Sequence, residues 1–149
     1  MPERDGVDLI IEQWERERPD LDSSPVGIVG RVSRLAREIE ARLEPVYREH
    51  GLEPGWHDVL ATLRRSGGTL RPTDLTNASM LTSSGTTKRL DKLEAAGLIA
   101  LTAEGRRLID ALTPAHLDNE RRILSALSEA EQRRLADLLR KLQLGLPEG

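Results

Sequence analysis

Apolar residues recur at helical spacing along most of the chain, and this spacing predicts a series of amphipathic helices. A first helix is predicted over residues 5–18. A second runs from Pro25 to about His50, where Gly51 ends it. A third is predicted over residues 54–65, and the Ser-Gly-Gly sequence at 66–68 breaks it. The N-terminal half of the chain is therefore expected to be helical.

The central stretch changes to short elements separated by turn residues. Pro72 opens a short helix that is predicted to end at Ala78, and a turn of three residues follows. A longer helix begins near Ser83, continues to Ala96 and is terminated by Gly97. Residues 98–102 then form a short β-like run. This order predicts a pair of helices joined by a tight turn.

Two further helices are predicted in the C-terminal third. A long helix over residues 103–127 is expected to kink at Pro114. Ser128 and Glu131 form a capping box that starts the last helix. A leucine stripe follows on that helix, and we interpret it as a dimer contact because it is terminal and has little else to pack on. The stripe consists of Leu135, Leu138, Leu139 and Leu142.

Composition narrows the possible classes of protein. The chain has no cysteine, which excludes disulfides and cysteine-ligated zinc. Its N-terminus is charged and no apolar run is long enough to span a membrane, so a soluble, cytoplasmic protein without membrane partners is expected. The net charge is −3, yet residues 61–92 contain six basic and only two acidic residues. This asymmetry favours a polyanionic partner, although basic residues also cluster by chance on solvated helix faces.

The second helix of the central pair has the side chains that a major-groove reader needs. Ser84 and Thr87 are small and polar near its start, and Lys88 follows within one turn. Small residues let a helix N-terminus approach base edges, while cations further along meet phosphates. Leu75 and Leu81 are expected to pack inward. An ordinary helical hairpin with a serine-rich cap is the alternative interpretation.

Three segments together resemble the MarR family of transcriptional regulators. LTSSGTTKRLDKLEAAGLI (81–99) resembles the family's recognition-helix segment, and LTAEGRRLID (101–110) resembles the entry into its long penultimate helix. HGLEPGWHDVLATLRRSGG (50–68) is similar to the family's second helix and the turn after it. The resemblance covers roughly residues 26–142, and the order and spacing of the segments make it specific.

The resemblance implies an all-α protein with a single MarR-like domain over residues 1–149. A winged-helix-like helix-turn-helix lobe (54–102) would lie between dimerisation helices (5–50 and 103–146). The implied function is that of a homodimeric, ligand-responsive repressor of transcription, not an enzyme, that binds double-stranded DNA without a cofactor. The residues implied as base readers are Ser83, Ser84, Thr87 and Lys88, and those implied as phosphate contacts are Thr73 and Arg89. Arg71, which departs from the family's pattern, is expected to contact a phosphate as well.

The chain departs from the family's pattern at two places. Arg71 stands before Pro72, where the family usually has a capping hydroxyl. A β-hairpin wing, whose arginine normally enters the minor groove, is missing between Ala100 and Leu101. We interpret the missing wing as a real deletion, so residues 97–102 are expected to form a short crossover. An interaction or ligand-sensing module with weak or lost DNA binding is the resulting alternative function.

Tyr47, Trp56 and His57 lie near the place where the family binds effectors. An aromatic residue beside a histidine is suited to a small aromatic or anionic ligand. The alternative is that Trp56 only anchors a core poor in aromatic residues. The histidines His50, His57 and His116 have no metal-ligand spacing, and no nucleophile and base stand at a recognisable spacing.

Overall fold

The computed structural model describes residues 3–53, 55–71, 74–75 and 99–147. The chain divides into two compact units, one up to Arg42 and one from Leu43 onward. The predicted turn at 79–81 and the predicted helix over 83–96 lie outside the described residues, as does most of the short helix before them. None of the described helices is both long and apolar enough to cross a membrane.

The first unit is built from helix α1 (Gly6–Glu17) and the larger part of helix α2 (Val26–Glu49). Asp5 caps α1 by accepting hydrogen bonds from the backbone of Val7 and Asp8, and the Asp8 side chain completes the capping box. The guanidinium of Arg31 on α2 donates to Asp5 at 2.8 Å and to Asp8 at 2.7 Å. The charged residues that start α1 therefore also tie it to α2.

The apolar side chains of the first unit are only partly covered. Val7 is buried and lies close to Gly30, where an added Cβ atom would be 3.4 Å from a Val7 methyl carbon. Four large apolar residues on α2 are nevertheless exposed in this single chain. They are Ile28, Val29, Val32 and Leu35. A helix face of this kind is typical of a surface that another element or chain covers.

The core of the second unit lies between the end of α2, helix α3 (Trp56–Arg65) and helix α4 (Ala103–Ile123). Its main cluster consists of Val46, Leu52, Ile109 and Leu112. Leu75 is fully buried in a second cluster with two residues of α3, as its predicted inward position requires. An ion pair between Arg64 and Asp110, at 2.7 Å, links α3 to α4 at the surface.

A two-stranded antiparallel sheet joins the parts of the chain on either side of residues 71–98. Strand β1 (Thr69–Leu70) pairs with strand β2 (Ile99–Ala100). Gly68, with a φ of 97°, turns the chain into β1, and its carbonyl accepts from the Leu101 amide at 2.7 Å. Thr102 then caps α4 directly. Only two residues separate β2 from α4, which agrees with the expected short crossover as far as the described residues 99–102 go. Residues 97 and 98 lie outside the described residues.

Helix α4 ends at Ile123, four residues before the expected end near 127. The side-chain amide of Gln132 donates to the carbonyls of Leu124 and Leu127, which stabilises a turn in place of further helix. The predicted capping box of Ser128 and Glu131 is confirmed and starts helix α5 (Glu129–Leu144). Helix α5 buries none of its residues, and its leucine stripe is exposed in this single chain.

Both internal prolines are accommodated within continuous helices. Pro45 lies inside α2 and Pro114 lies inside α4, and neither ends its helix. Since proline lacks an N–H, each removes one intrahelical hydrogen bond. The termination signals that do act are glycines, since Gly51 adopts a left-handed conformation just beyond the end of α2.

Candidate functional site

Three aromatic rings meet where α2, α3 and α4 come together in the second unit. The ring of Tyr47 stacks on that of His57, with centroids 4.6 Å apart and planes 11° from parallel. His116 lies 4.3 Å from His57 and 5.6 Å from Tyr47 by the same measure. We call Tyr47, His57 and His116 the ring cluster. Two of its members were expected at an effector site, and His116 was not.

The helices place each ring through the same periodicity that builds the core. Tyr47 follows buried Val46 in the last turns of α2, and His57 lies in the first turn of α3. His116 follows Ile109 and Leu112 by seven and four residues on α4, so it shares their buried face. That spacing was the signal in the sequence that could have placed His116 inward.

Burial controls the protonation of His57 and Tyr47. It lowers the pKa of His57 to about 4, and the nearby His116 and Arg65 add smaller effects in the same direction. Burial also raises the pKa of Tyr47 to about 12, with further contributions from the carboxylates of Glu120 and Asp58. At neutral pH, His57 is therefore an uncharged imidazole stacked on an uncharged phenol.

His116 offers a polar group inside this otherwise apolar environment. Its Nε2 atom lies 3.1 Å from a carboxylate oxygen of Glu120, one turn further along α4. Its Nδ1 atom is buried and makes no hydrogen bond with the described part of the chain. The side chain is about nine-tenths buried. A buried ring nitrogen of this kind can bind a polar atom of a small planar molecule.

Trp56 differs from its predicted neighbours in the effector site. It is partly buried and packs against both apolar clusters of the second unit. This arrangement agrees with the alternative interpretation, in which the indole anchors the core. The predicted set of three is therefore divided between stacked rings, Tyr47 and His57, and a core-packing indole.

The residues expected at the DNA can be placed only in part. Arg71 is exposed and directly follows β1, at the start of the predicted helix-turn-helix segment. The other six expected contacts lie outside the described residues. They are Thr73, Ser83, Ser84, Thr87, Lys88 and Arg89. Because β1 and β2 are paired, the segment between them begins and ends at the same small sheet.

Comparison with known proteins gives matches along nearly the whole chain. Residues 50–107 match the MarR family. The chain is 39% identical over 153 residues to the HTH-type transcriptional regulator PecS of Dickeya dadantii (strain 3937), in an alignment that covers 92% of each protein. This aligned stretch is longer than the 149-residue chain, so the relative carries additional residues within it.

Solved structures show the same fold at lower sequence identity. One is that of BpsR from Bordetella bronchiseptica, a protein whose DNA binding is regulated by 6-hydroxynicotinic acid. It is 21% identical, with a TM-score of 0.65 over 77% of this chain and 93% of its own. The MarR family protein Rv2887 of Mycobacterium tuberculosis, in complex with DNA, is 20% identical, with a TM-score of 0.58 over 77% and 96%.

Proposed function

Because the chain belongs to the MarR family of DNA-binding transcriptional regulators, we propose that it acts as a homodimeric repressor on a pseudo-palindromic operator and responds to a small ligand. The observation that carries the proposal is the 39% identity to a helix-turn-helix regulator across 92% of both proteins. Action on operator DNA implies a cytoplasmic location.

Support for the homodimer comes from apolar surface that a single chain leaves exposed. Ile28 and Val29 are each about two-thirds exposed, and Leu138 is more than half exposed. Covering such faces between two chains is expected to bury at least the ~1,600 Å² of a standard interface. Sedimentation at micromolar concentration should give the mass of a dimer, and a stable monomer would contradict the proposal.

Support for DNA binding comes from the position of the basic residues. The six cations between residues 61 and 92 stand in an otherwise acidic chain, and Arg71 is exposed beside the predicted helix-turn-helix segment. A gel-shift assay on the promoter region of the protein's own gene, at two salt concentrations, tests this directly. Binding that depends on phosphate contacts must weaken steeply at the higher salt concentration.

Support for a ligand response comes from the ring cluster. Two uncharged stacked rings and a buried ring nitrogen suit a planar aromatic acid, and the 6-hydroxynicotinic acid that regulates BpsR is a ligand of this kind. Titration of a Trp14→Phe variant with 6-hydroxynicotinic acid or benzoic acid should quench the remaining indole, Trp56. Absence of quenching by any acid that also releases DNA would count against this site.

A second function is favoured by the short connection between β2 and α4. With two residues at this position, no hairpin extends from the sheet to a neighbouring groove. The protein would then be a ligand-sensing or interaction module with weak or lost DNA binding. A dimer that binds ligand but shifts no DNA at low salt would favour this second function over the first.

A further inference from the structure

Five arginines lie in the segments of the chain that flank the two strands of the sheet in the second unit. Arg64, Arg65 and Arg71 belong to α3 and the end of β1, and Arg106 and Arg107 lie in the first turns of α4. Four acidic residues stand in the same segments, namely Asp58, Asp74, Glu104 and Asp110. The region therefore carries a net positive charge, in a protein whose net charge is −3.

The guanidinium of Arg106 lies close to the backbone just before β1. A Cβ atom added to Gly68 would lie 3.1 Å from Nη2 of Arg106, although the arginine remains exposed to solvent. The short crossover explains this position. Leu101 binds the Gly68 carbonyl and Thr102 caps α4, so the first turns of α4 are fixed beside the sheet.

The cations of Arg71, Arg106 and Arg107 are not neutralised by the described part of the chain. Among the described residues, Arg64 forms an ion pair with Asp110. None of the three other arginines forms an ion pair with another described residue. Arg71 precedes the helix-turn-helix segment, and Arg106 lies beside the strand pair where that segment both begins and ends. Arg71 and Arg106 therefore lie beside the two strands that flank, in the sequence, the segment expected to read DNA.

We propose that Arg106, together with Arg71, binds the phosphate backbone of DNA outside the bases that the recognition helix reads. The inference rests on the proposed DNA binding. An unneutralised, solvent-exposed guanidinium beside the strand pair suits a phosphate oxygen, and such a contact contributes affinity without sequence preference. Nothing in the family resemblance gives Arg106 this role.

The test compares Arg106→Gln with Arg122→Gln, which removes the same charge from the last turn of the same helix. Fluorescence anisotropy would follow binding to a labelled promoter duplex and to a random-sequence duplex over a range of salt concentrations. One lost phosphate contact should lower the slope of log K against log salt by about 0.9, which corresponds to about eightfold weaker binding at 0.1 M salt. The loss should be equal on both duplexes, and Arg106→Lys should restore most of the slope.

Several outcomes would overturn the inference. A wild-type slope for Arg106→Gln would do so while leaving the DNA-binding proposal intact. An equal loss for Arg122→Gln would show a general effect of net charge instead of a contact. A wild-type protein without salt-dependent binding would instead refute the proposed function, and the inference would fail with it. Circular dichroism melting curves would verify that each variant is folded.

Discussion

Acidification is expected to destabilise the second unit through His57. Burial between Tyr47 and His116 lowers the pKa of this side chain from 6.5 to about 4. The folded state therefore disfavours the protonated imidazole, while the unfolded chain accepts the proton at its ordinary pKa. Because the folded-state pKa is the lower one, the stabilisation is complete above pH 6.5 and is lost as the pH falls toward 4.

The size of the effect follows from the two pKa values. For a fully buried group, a pKa of 6.5 in the unfolded state and about 4 in the folded state would cost about 2 kcal/mol at pH 5 relative to pH 7.5. His57 is only half-buried, so solvent screening reduces the expected loss to about 1 kcal/mol. Most of the loss should fall between pH 6.5 and pH 4.5.

The assay is urea denaturation at pH 7.5 and pH 5.0, followed by circular dichroism at one fixed protein concentration. His57→Phe keeps a ring to stack on Tyr47 but cannot be protonated. The wild type should lose about 1 kcal/mol more than this variant on acidification. His50→Gln removes a different histidine, one that bonds to the Val46 carbonyl at the end of α2, and serves as the control. It should retain the additional loss.

Equal acid sensitivity in the wild type and His57→Phe would refute the reasoning. The carboxylates whose pKa values are lowered in the fold, such as Asp5 and Glu131, also lose their stabilising contribution as the pH falls. They are the same in every variant and cancel in the comparison. A surviving difference therefore belongs to the ring cluster.

Three other substitutions test the core, a helix cap and the DNA contacts. Leu112→Ala empties a fully buried position and should cost about 2–5 kcal/mol in urea denaturation; a loss below about 1 kcal/mol would contradict its place in the core. Ser128→Ala removes the cap of α5 and should lower the free energy of unfolding by about 1 kcal/mol in thermal melting. Ser125→Ala, which changes a nearby serine that is not the N-cap of α5, serves as the control. Lys88→Ala should weaken binding to all DNA sequences and flatten the salt slope by about one unit. Thr87→Ala should instead change the preference among operators, and a uniform loss would refute a base-reading role.

Local signals explain which parts of the fold could be predicted. Helix α1 is expected over residues 5–18 and is found at Gly6–Glu17. Its start can be predicted because the residues that form the capping box, Asp5 and Asp8, lie close together in the sequence. Helices α2 and α3 end shortly before Gly51 and Gly67, which have positive φ. These helix ends can therefore also be predicted from nearby residues. The early end of α4 depends on Gln132, which belongs to the next helix. The hydrophobic pattern within α4 therefore could not predict where that helix ends.

In the candidate site, too, contacts between residues far apart in the sequence could not be predicted. The inward position of His116 could be inferred from its spacing to Leu112, but its contact with His57 arises only when α3 packs on α4. The adjacency of Trp56 and His57 in the sequence suggested a shared role. Helical geometry separates them, because consecutive residues point about 100° apart around a helix. The expected contacts of Ser83, Ser84, Thr87 and Lys88 remain predictions.

The turn between α4 and α5 has a consequence for assembly. Helix α5 buries no residue, yet the Gln132 amide and the Ser128–Glu131 box hold its first turns against the end of α4. Its direction is therefore set by polar contacts within one chain before any second chain arrives. In the proposed homodimer, an arm that is already ordered would lose less conformational entropy on association than a loose one, so the same leucine contacts would give a tighter complex. Gln132→Ala should accordingly weaken association of the chains, although its side chain need not touch the partner.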